Sequence, residues 1–344
     1  MRGFPPDYVY RDEAIVTKRR DGISMSSSSQ PSLMGLMLTR LDLGPGQRVL
    51  EIGAGTGYNA ALLADLVGPS GSVTTVDIDS EVAAIARQNL RHAGYPHVNV
   101  IARDGGHGVP EAGLFDRIIV TAGCWQISPA WIEQLAPDGS IVLPLRINGL
   151  SLAPFFRRQG SRLVASGADP CGFIQLEGAF AGGYRSEIGE GVMAASDHVL
   201  TAEERSTIVR LLAASEPSAL KLPAFEDNPE LALSFLAFLG LQGHPLLALL
   251  DRRQAEPKGS QLLLVSPDSA LSLGVSPTVH GTREAETFVR EALDDWAQAG
   301  RPTLDRICLR VDPESAAGPD IPEAHGHRYG FRRGAHAIEL WFEP

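Results

Sequence analysis

Val49-Leu50-Glu51-Ile52-Gly53-Ala54-Gly55-Thr56-Gly57-Tyr58 carries a short β-rich apolar run directly into three closely spaced glycines. Glycines at a strand-to-helix turn let a ligand approach backbone that a Cβ would otherwise shield. Asp77 follows Gly57 at the end of the next apolar run, where a carboxylate can accept both ribose hydroxyls of an adenosine. A dinucleotide site needs the spacing G-x-G-x-x-G. Here the third glycine comes one residue early and Glu51 precedes the loop, which favours S-adenosylmethionine (SAM) over NAD. Glu51 is read as polarising nearby backbone or meeting the methionine ammonium, against the alternative of a solvated strand end. Asp104-Gly105, just beyond a third run, is read as flanking the adenine, against the alternative of a simple turn.

Working outward, Gln47 to Ile52 reads as the first strand. A helix follows with Leu62, Leu63, Leu66 and Val67 on one face, and Gly68-Pro69 stops it. Ser72 to Asp77 reads as the second strand, followed by a helix capped by Ser80, with Val82, Ile85 and Ala86 inward and Gly94 closing it. Runs at Val98 to Ala102, Phe115 to Thr121 and Ser140 to Leu145, with a helix over Pro129 to Leu135, continue the alternation. Parallel strands joined by crossover helices make a doubly wound α/β, Rossmann-like domain. After Gly182-Gly183 the alternation stops. Residues 1–183 are therefore expected to form the cofactor-binding domain and residues 184–344 a C-terminal α+β domain. In the latter, Ala285, Phe288, Val289, Ala292 and Trp296 make an amphipathic stripe. Leu262 to Val265, Leu304 to Val311 and the Ile338/Leu340/Phe342 alternation read as its strands.

Bulk composition narrows the function classes. A chain of 344 residues exceeds the usual single core. With 41 acidic against 30 basic residues the net charge is −11, which repels phosphate backbones and anionic membranes. The place after the fourth strand, where many nucleic-acid methyltransferases carry Asn/Asp-Pro-Pro-aromatic, holds Thr121-Ala122-Gly123-Cys124. Cys124, Cys171 and Cys308 have no paired spacing, which fits a reduced compartment. Met1 to Pro6 lacks the apolar core of a signal peptide, and Leu231 to Leu241 is too short to span a bilayer, so a cytoplasmic protein is expected. His325, His327 and His336 read as a solvated loop rather than a metal site. Cys124 reads as pocket lining without an activating His and Asp. Trp125 is divided evenly between substrate contact and packing, and Trp131 is assigned to packing.

The stretch Ser26-Ser27-Ser28-Ser29-Gln30-Pro31 has linker composition. It runs straight into the helical stripe Leu33, Leu36, Met37 and Leu41, which leads to the first strand, so these serines are expected to form a substrate-facing lip near the glycine loop. Here the sequence resembles the protein-L-isoaspartate O-methyltransferase family, whose members carry G-x-T-I-S-x-P upstream of V-L-E-I-G-x-G-x-G-Y. Ser27-Ser28-Ser29-Gln30-Pro31 and Val49 to Tyr58 match those segments. The resemblance continues through Phe115-Asp116-Arg117-Ile118-Ile119-Val120-Thr121-Ala122 and Ile132-Glu133-Gln134-Leu135-Ala136-Pro137-Asp138-Gly139 to Gly172-Phe173-Ile174.

The resemblance implies that Ser29 is the active-site serine orienting the acceptor carboxylate. Ser27 matches the family's threonine and Ser28 replaces an isoleucine, and Gln30 and Cys124 are expected on the substrate side. Glu51, Gly53, Gly55, Thr56, Gly57, Tyr58, Asp77, Ile78, Asp104 and Gly105 are expected to bind SAM and the product S-adenosylhomocysteine. The four-serine segment with a long C-terminal extension looks like the branch associated with ribosomally made peptides such as lanthipeptides and graspetides. There, methylation of an aspartate leads to aspartimide or isoaspartate. The expected function is thus SAM-dependent O-methylation of an aspartyl carboxylate in a precursor peptide that the C-terminal domain binds. The alternatives are repair-type isoaspartate methylation, nucleic-acid methylation and a non-catalytic peptide-binding protein.

Overall fold

A computed structural model of the chain describes residues 11–189, 191–213, 217–220, 228–242, 246–251, 261–273, 277–313 and 328–343. It begins with an antiparallel hairpin of β1 (Ile15–Arg20) and β2 (Ile23–Ser28). The hairpin turns on Asp21 and Gly22, both at positive φ (51° and 78°). Asp-Gly is the residue pair that such a tight turn selects. Pro31 then opens α1 (Pro31–Leu41), which buries Met34, Met37 and Leu41 and leaves Leu36 exposed, so the face differs by one position from the stripe read in the sequence.

The α/β half follows in the expected order. It comprises β3 (Arg48–Ile52), α2 (Tyr58–Val67), β4 (Ser72–Asp77), α3 (Ser80–His92), β5 (Asn99–Ala102), β6 (Phe115–Val120), α4 (Pro129–Gln134) and β7 (Leu135–Val142). The pairs β3/β4, β4/β5, β3/β6 and β6/β7 are parallel. Val49, Leu50, Ile52 and Val76 are buried on both faces, as parallel strands covered by helices require. Two helix details differ from expectation. Asp79, not Ser80, caps α3, accepting from the N–H groups of Glu81 and Val82, because its carboxylate stands one residue ahead of the first helical turn. The inner faces are Ala60, Leu63, Ala64 and Val67 on α2 and Val82, Ala83, Ala86 and Leu90 on α3. Leu66 and Ile85 point to solvent.

The division at residue 183 is not where the sheet divides. Three hairpin strands, β8 (Leu145–Ile147), β9 (Leu150–Gln159) and β10 (Arg162–Pro170), continue past β7 with antiparallel pairing. The chain then leaves to build a second sheet from β11 (Tyr184–Gly189), β12 (Val192–Ser196), β13 (Ser218–Ala219), β14 (Leu246–Asp251), β15 (Gln261–Ser266), β16 (Ser269–Leu273) and β17 (Thr278–Gly281). It includes the helices α5 (Ala202–Ala213), α6 (Pro229–Leu241) and α7 (Glu284–Gln298). The last strands, β18 (Ile307–Pro313), β19 (Arg328–Arg333) and β20 (His336–Phe342), return to the first sheet, β18 pairing with β10. Among the described residues the first sheet therefore runs β19-β20-β18-β10-β9-β7-β6-β3-β4-β5, with β8 on β9.

The physical reason is a shared core. One apolar cluster holds Leu50, Ile52, Trp131 and Phe156 from the first half together with Phe235, Trp296, Leu309 and Phe342 from the second. The predicted α7 stripe is borne out, with Ala285, Val289, Ala292 and Trp296 buried and Phe235 against Trp296 at 5.6 Å between ring centroids. His336 is buried at the start of β20 rather than in a solvated loop, and His325 and His327 lie outside the described residues. No described helix is long and apolar enough to cross a membrane.

Because β18 lies in the sheet that carries the glycine loop, Leu309→Ala, a fully buried β18 residue, should cost about 3 kcal/mol. It should do so in one transition that also unfolds the α/β half. Denaturant melts followed by tryptophan fluorescence should retain a single sigmoid shifted to lower denaturant, and independent melting of the two halves would contradict the shared core.

Candidate active site

The sheet order reverses between β3 and β6, and in open α/β sheets ligands bind in the crevice at that switch point. The two strand ends are tied there. Thr121 at the end of β6 donates its hydroxyl to the carbonyl of Gly53, 2.8 Å away, and Gly53 sits at φ 103°. A Cβ on Gly53 would lie 2.6 Å from that hydroxyl, so only glycine fits beneath it. Gly55, at φ 50°, faces the hairpin, and a Cβ there would stand 3.1 Å from the main-chain oxygen of Ser27. That contact makes the serine stretch and the glycine loop the two walls of one cavity.

The cavity brings together Ser27, Ser28, Ser29, Glu51, Gly53, Gly55, Thr56, Tyr58, Asp77, Ile78 and Gly105 of the expected site. The serines are not a flexible segment: Ser26 to Ser28 pair with β1, and Ser28 is buried opposite Ile15. Asp77 accepts the N–H of Gly55 at 3.1 Å and of Asp79 at 3.0 Å, while burial pushes its carboxyl above the usual range. Ile78 beside it is 41 % exposed, offering an apolar face at the cavity.

Four expected residues lie elsewhere. Gly57 supports rather than lines: a Cβ would stand 3.0 Å from the carbonyl of Ala86, so glycine lets α2 start against α3. Asp104 is not among the cavity-lining residues; its two oxygens accept the N–H groups of Gly106 at 2.8 Å and Ala179 at 2.7 Å, which anchors the segment after β10. Gln30 turns away to donate to Asp12 at 2.9 Å and Ser32 at 3.0 Å. Cys124 is fully buried, its thiol pushed far up by burial, and it does not line the cavity.

Glu51 is not a solvated strand end. It is fully buried, with Thr75 donating at 2.5 Å and Asn59 at 2.7 Å to its two oxygens, so the carboxylate ties β3 to β4 and α2 at the cavity wall. Burial raises its pKa to about 7.

Several functional positions escaped sequence reading. Thr121, Asn59 and the segment Ile174 to Glu177 all line the cavity. That segment is fixed by Gly123 N–H donating to Ile174 at 2.8 Å and Leu176 N–H donating to Gly123 at 2.9 Å. Lys18 on β1 donates to Asp79 and to Glu81, both at 2.6 Å, latching the hairpin onto the start of α3. The Asp21-Gly22 pair is the signal that would have revealed this hairpin.

Comparison with known proteins follows the same residues. The family model described as protein-L-isoaspartate(D-aspartate) O-methyltransferase matches residues 2–180. A protein-L-isoaspartate O-methyltransferase of Thermotoga maritima is 39% identical over 167 residues, 48% of this chain and 52% of that protein. The one from Hyperthermus butylicus is 39% identical over 161 residues, 44% of this chain and 67% of that protein. The match thus spans about half the length of the Thermotoga relative. A solved structure titled protein-L-isoaspartate O-methyltransferase superposes with a TM-score of 0.51 at 25% identity, covering 90% of this chain and 86% of the other.

The raised pKa of Glu51 has a defined sign. Below about pH 4.5 the carboxyl is protonated in both folded and unfolded chains. As pH rises toward about 7 only the unfolded chain ionises, so stability present at low pH is lost through the folded value. Between pH 5 and pH 8 the wild type should lose roughly 2–3 kcal/mol relative to Glu51→Gln in urea melts. Parallel pH profiles for the two proteins would refute the burial of an ionisable group there.

Proposed function

We propose a function on one premise: this chain belongs to the protein-L-isoaspartate(D-aspartate) O-methyltransferase family. It methylates the free carboxylate of an isoaspartyl residue in a peptide or protein, with Ser29 orienting the acceptor. The observation that carries this reading is the contact of Ser27 with Gly55, which joins the serine wall to the nucleoside cradle.

The lining residues fit SAM. Gly53 and Gly55 leave room that a Cβ would fill, Asp77 stands where ribose hydroxyls donate, and buried Asn59 Oδ1 has no partner in the protein. When bound, SAM supplies a methyl group on a sulfonium, open to in-line displacement by an oxygen nucleophile.

The acceptor class follows from what the cavity lacks as a base. Among the described residues its lining includes no histidine. Its carboxyls are Glu51, tied by two donors, Asp77, which accepts two backbone N–H groups at the cradle, Asp79, held below its usual range by Lys18, and Glu177. A hydroxyl or amine acceptor needs deprotonation, whereas a carboxylate is already an anion at neutral pH and needs alignment alone. Ser29, half-buried in the wall, provides a neutral donor for one carboxylate oxygen and leaves the other to attack.

The finer question is which carboxylate. The C-terminal half, read above as a mark of a peptide-tailoring branch, has a counterpart in the solved isoaspartate methyltransferase, which covers 90% of this chain. This favours isoaspartate over aspartate in a dedicated precursor. The test is mass spectrometry of an isoaspartyl peptide and its aspartyl isomer incubated with SAM. The expected outcome is methylation of the isoaspartyl form at least tenfold faster. Ser29→Ala should lower kcat/KM about a hundredfold while leaving cofactor affinity unchanged. Preference for the aspartyl isomer would support the tailoring reading, and methylation of neither would overturn the proposal.

A further inference from the structure

Beyond the serine wall, the cavity opens into a cleft of about 1410 Å³, with Met25, Ile78, Gln175 and Glu177 belonging to both. This volume exceeds a small-molecule pocket and suits a stretch of extended peptide. One wall is apolar, formed by Leu150, Leu152, Leu233 and Leu262 from both halves of the chain. The same cleft is lined by Arg19, Arg146 and Arg185 against Asp21 and Glu177, a local excess of cations on a chain whose net charge is −11.

Arg146, on β8, is the unusual one. It is only 7% exposed, yet its buried Nε and Nη2 have no hydrogen-bond partner. Its main chain is fully used, the N–H donating to Cys124 at 2.9 Å and the carbonyl accepting from Arg333.

The neighbouring charges do not balance it. Arg333, stacked 3.7 Å from the Trp125 ring, donates to Asp197 Oδ2 and to the carbonyl of Trp125. Asp197 Oδ2 also accepts the N–H of Asn148 at 2.7 Å, and its other oxygen makes no hydrogen bond to either arginine. Two guanidiniums thus share one carboxylate, and Arg333 holds it. A buried guanidinium whose one neighbouring carboxylate is hydrogen-bonded to another arginine is costly and cannot escape by losing its proton. A residue kept in that state beside an open cleft has the features of a site completed by its ligand.

We infer that Arg146 is the anion-recognition point of the acceptor cleft, pairing with a second carboxylate of the bound peptide, supplied by an Asp or Glu side chain or by the peptide's C-terminus. This rests on the proposed function, and it adds that the acceptor is chosen partly by an acidic group elsewhere in the same peptide. A guanidinium fork suits such planar, bidentate recognition.

The test uses fluorescent isoaspartyl peptides in which one Glu is moved stepwise along the sequence. Each is paired with its Gln twin and made with a free or an amidated C-terminus. Kd is read by anisotropy on the full chain, and methylation is read separately. At one register the acidic peptide, or the free C-terminus, should bind about tenfold tighter than its neutral twin. In Arg146→Met the ratio should fall to near one, and Arg146→Lys should keep part of it. The melting temperature of Arg146→Met should not fall, since the substitution removes a buried guanidinium that makes no side-chain hydrogen bond through Nε or Nη2 and leaves Asp197 to Arg333. Equal binding of acidic and neutral twins by the wild type would overturn the inference. So would a preference that survives in Arg146→Met, or a lowered melting temperature with the preference intact, which would make Arg146 a structural partner of Asp197. Binding with the predicted preference but no methylation would leave this inference standing and reject the isoaspartate reading alone.

Discussion

The placement of the Ser27 main-chain oxygen 3.1 Å from where a Cβ on Gly55 would stand is the constraint on which the rest of the site depends. A side chain at Gly55, at φ 50°, would strain the loop and crowd that oxygen, so the two walls would no longer meet as they do. The hairpin is held in place from two sides. Lys18 ties β1 to Asp79 and Glu81 at the start of α3, and Pro31 carries β2 directly into α1, whose Met37 and Leu41 are buried against the same sheet face as Val49. The nucleoside side is equally fixed, because Glu51 clamps β3 to Thr75 and Asn59 while Thr121 closes over Gly53. Preorganisation of this kind suits a reaction whose main demand is alignment of two reactants.

The second half of the chain contributes to the site through the sheet. β18 and β20 extend the strand ladder that begins at β5, and Phe235, Trp296 and Phe342 share a core with Leu50 and Ile52. Arg333, in the β19–β20 hairpin, reaches Trp125, Arg146 and Asp197 together, so one side chain joins the end of the chain to the strand ends near the active site. The cleft beside the serine wall is consequently built from both halves.

Legibility in the sequence followed the range of the interaction. The β3 to β7 alternation was readable because strand and helix periods are local properties, and Gly53, Gly55 and Asp77 were readable because a strand-to-helix glycine turn has few other uses. Ser29 was found through family resemblance, since a serine-rich run by composition reads as linker. What failed depended on distant partners. Asp104 was assigned to the cofactor because nothing in its neighbourhood announces Ala179, 75 residues on. The boundary at Gly182-Gly183 marked a change of pattern, yet the pairing of β10 with β18 joins Leu163 to Val311 across it. Pairing between strands so far apart leaves no periodic trace in either.

The glycine loop and the serine strand together form the nucleoside site, and calorimetric titration of S-adenosylhomocysteine into the wild type and Gly55→Val is the decisive measurement. The wild type should bind saturably at one to one, and the variant at least a hundredfold more weakly while its folding transition remains cooperative. Wild-type affinity in Gly55→Val, or no heat of binding in the unaltered protein, would contradict that assignment.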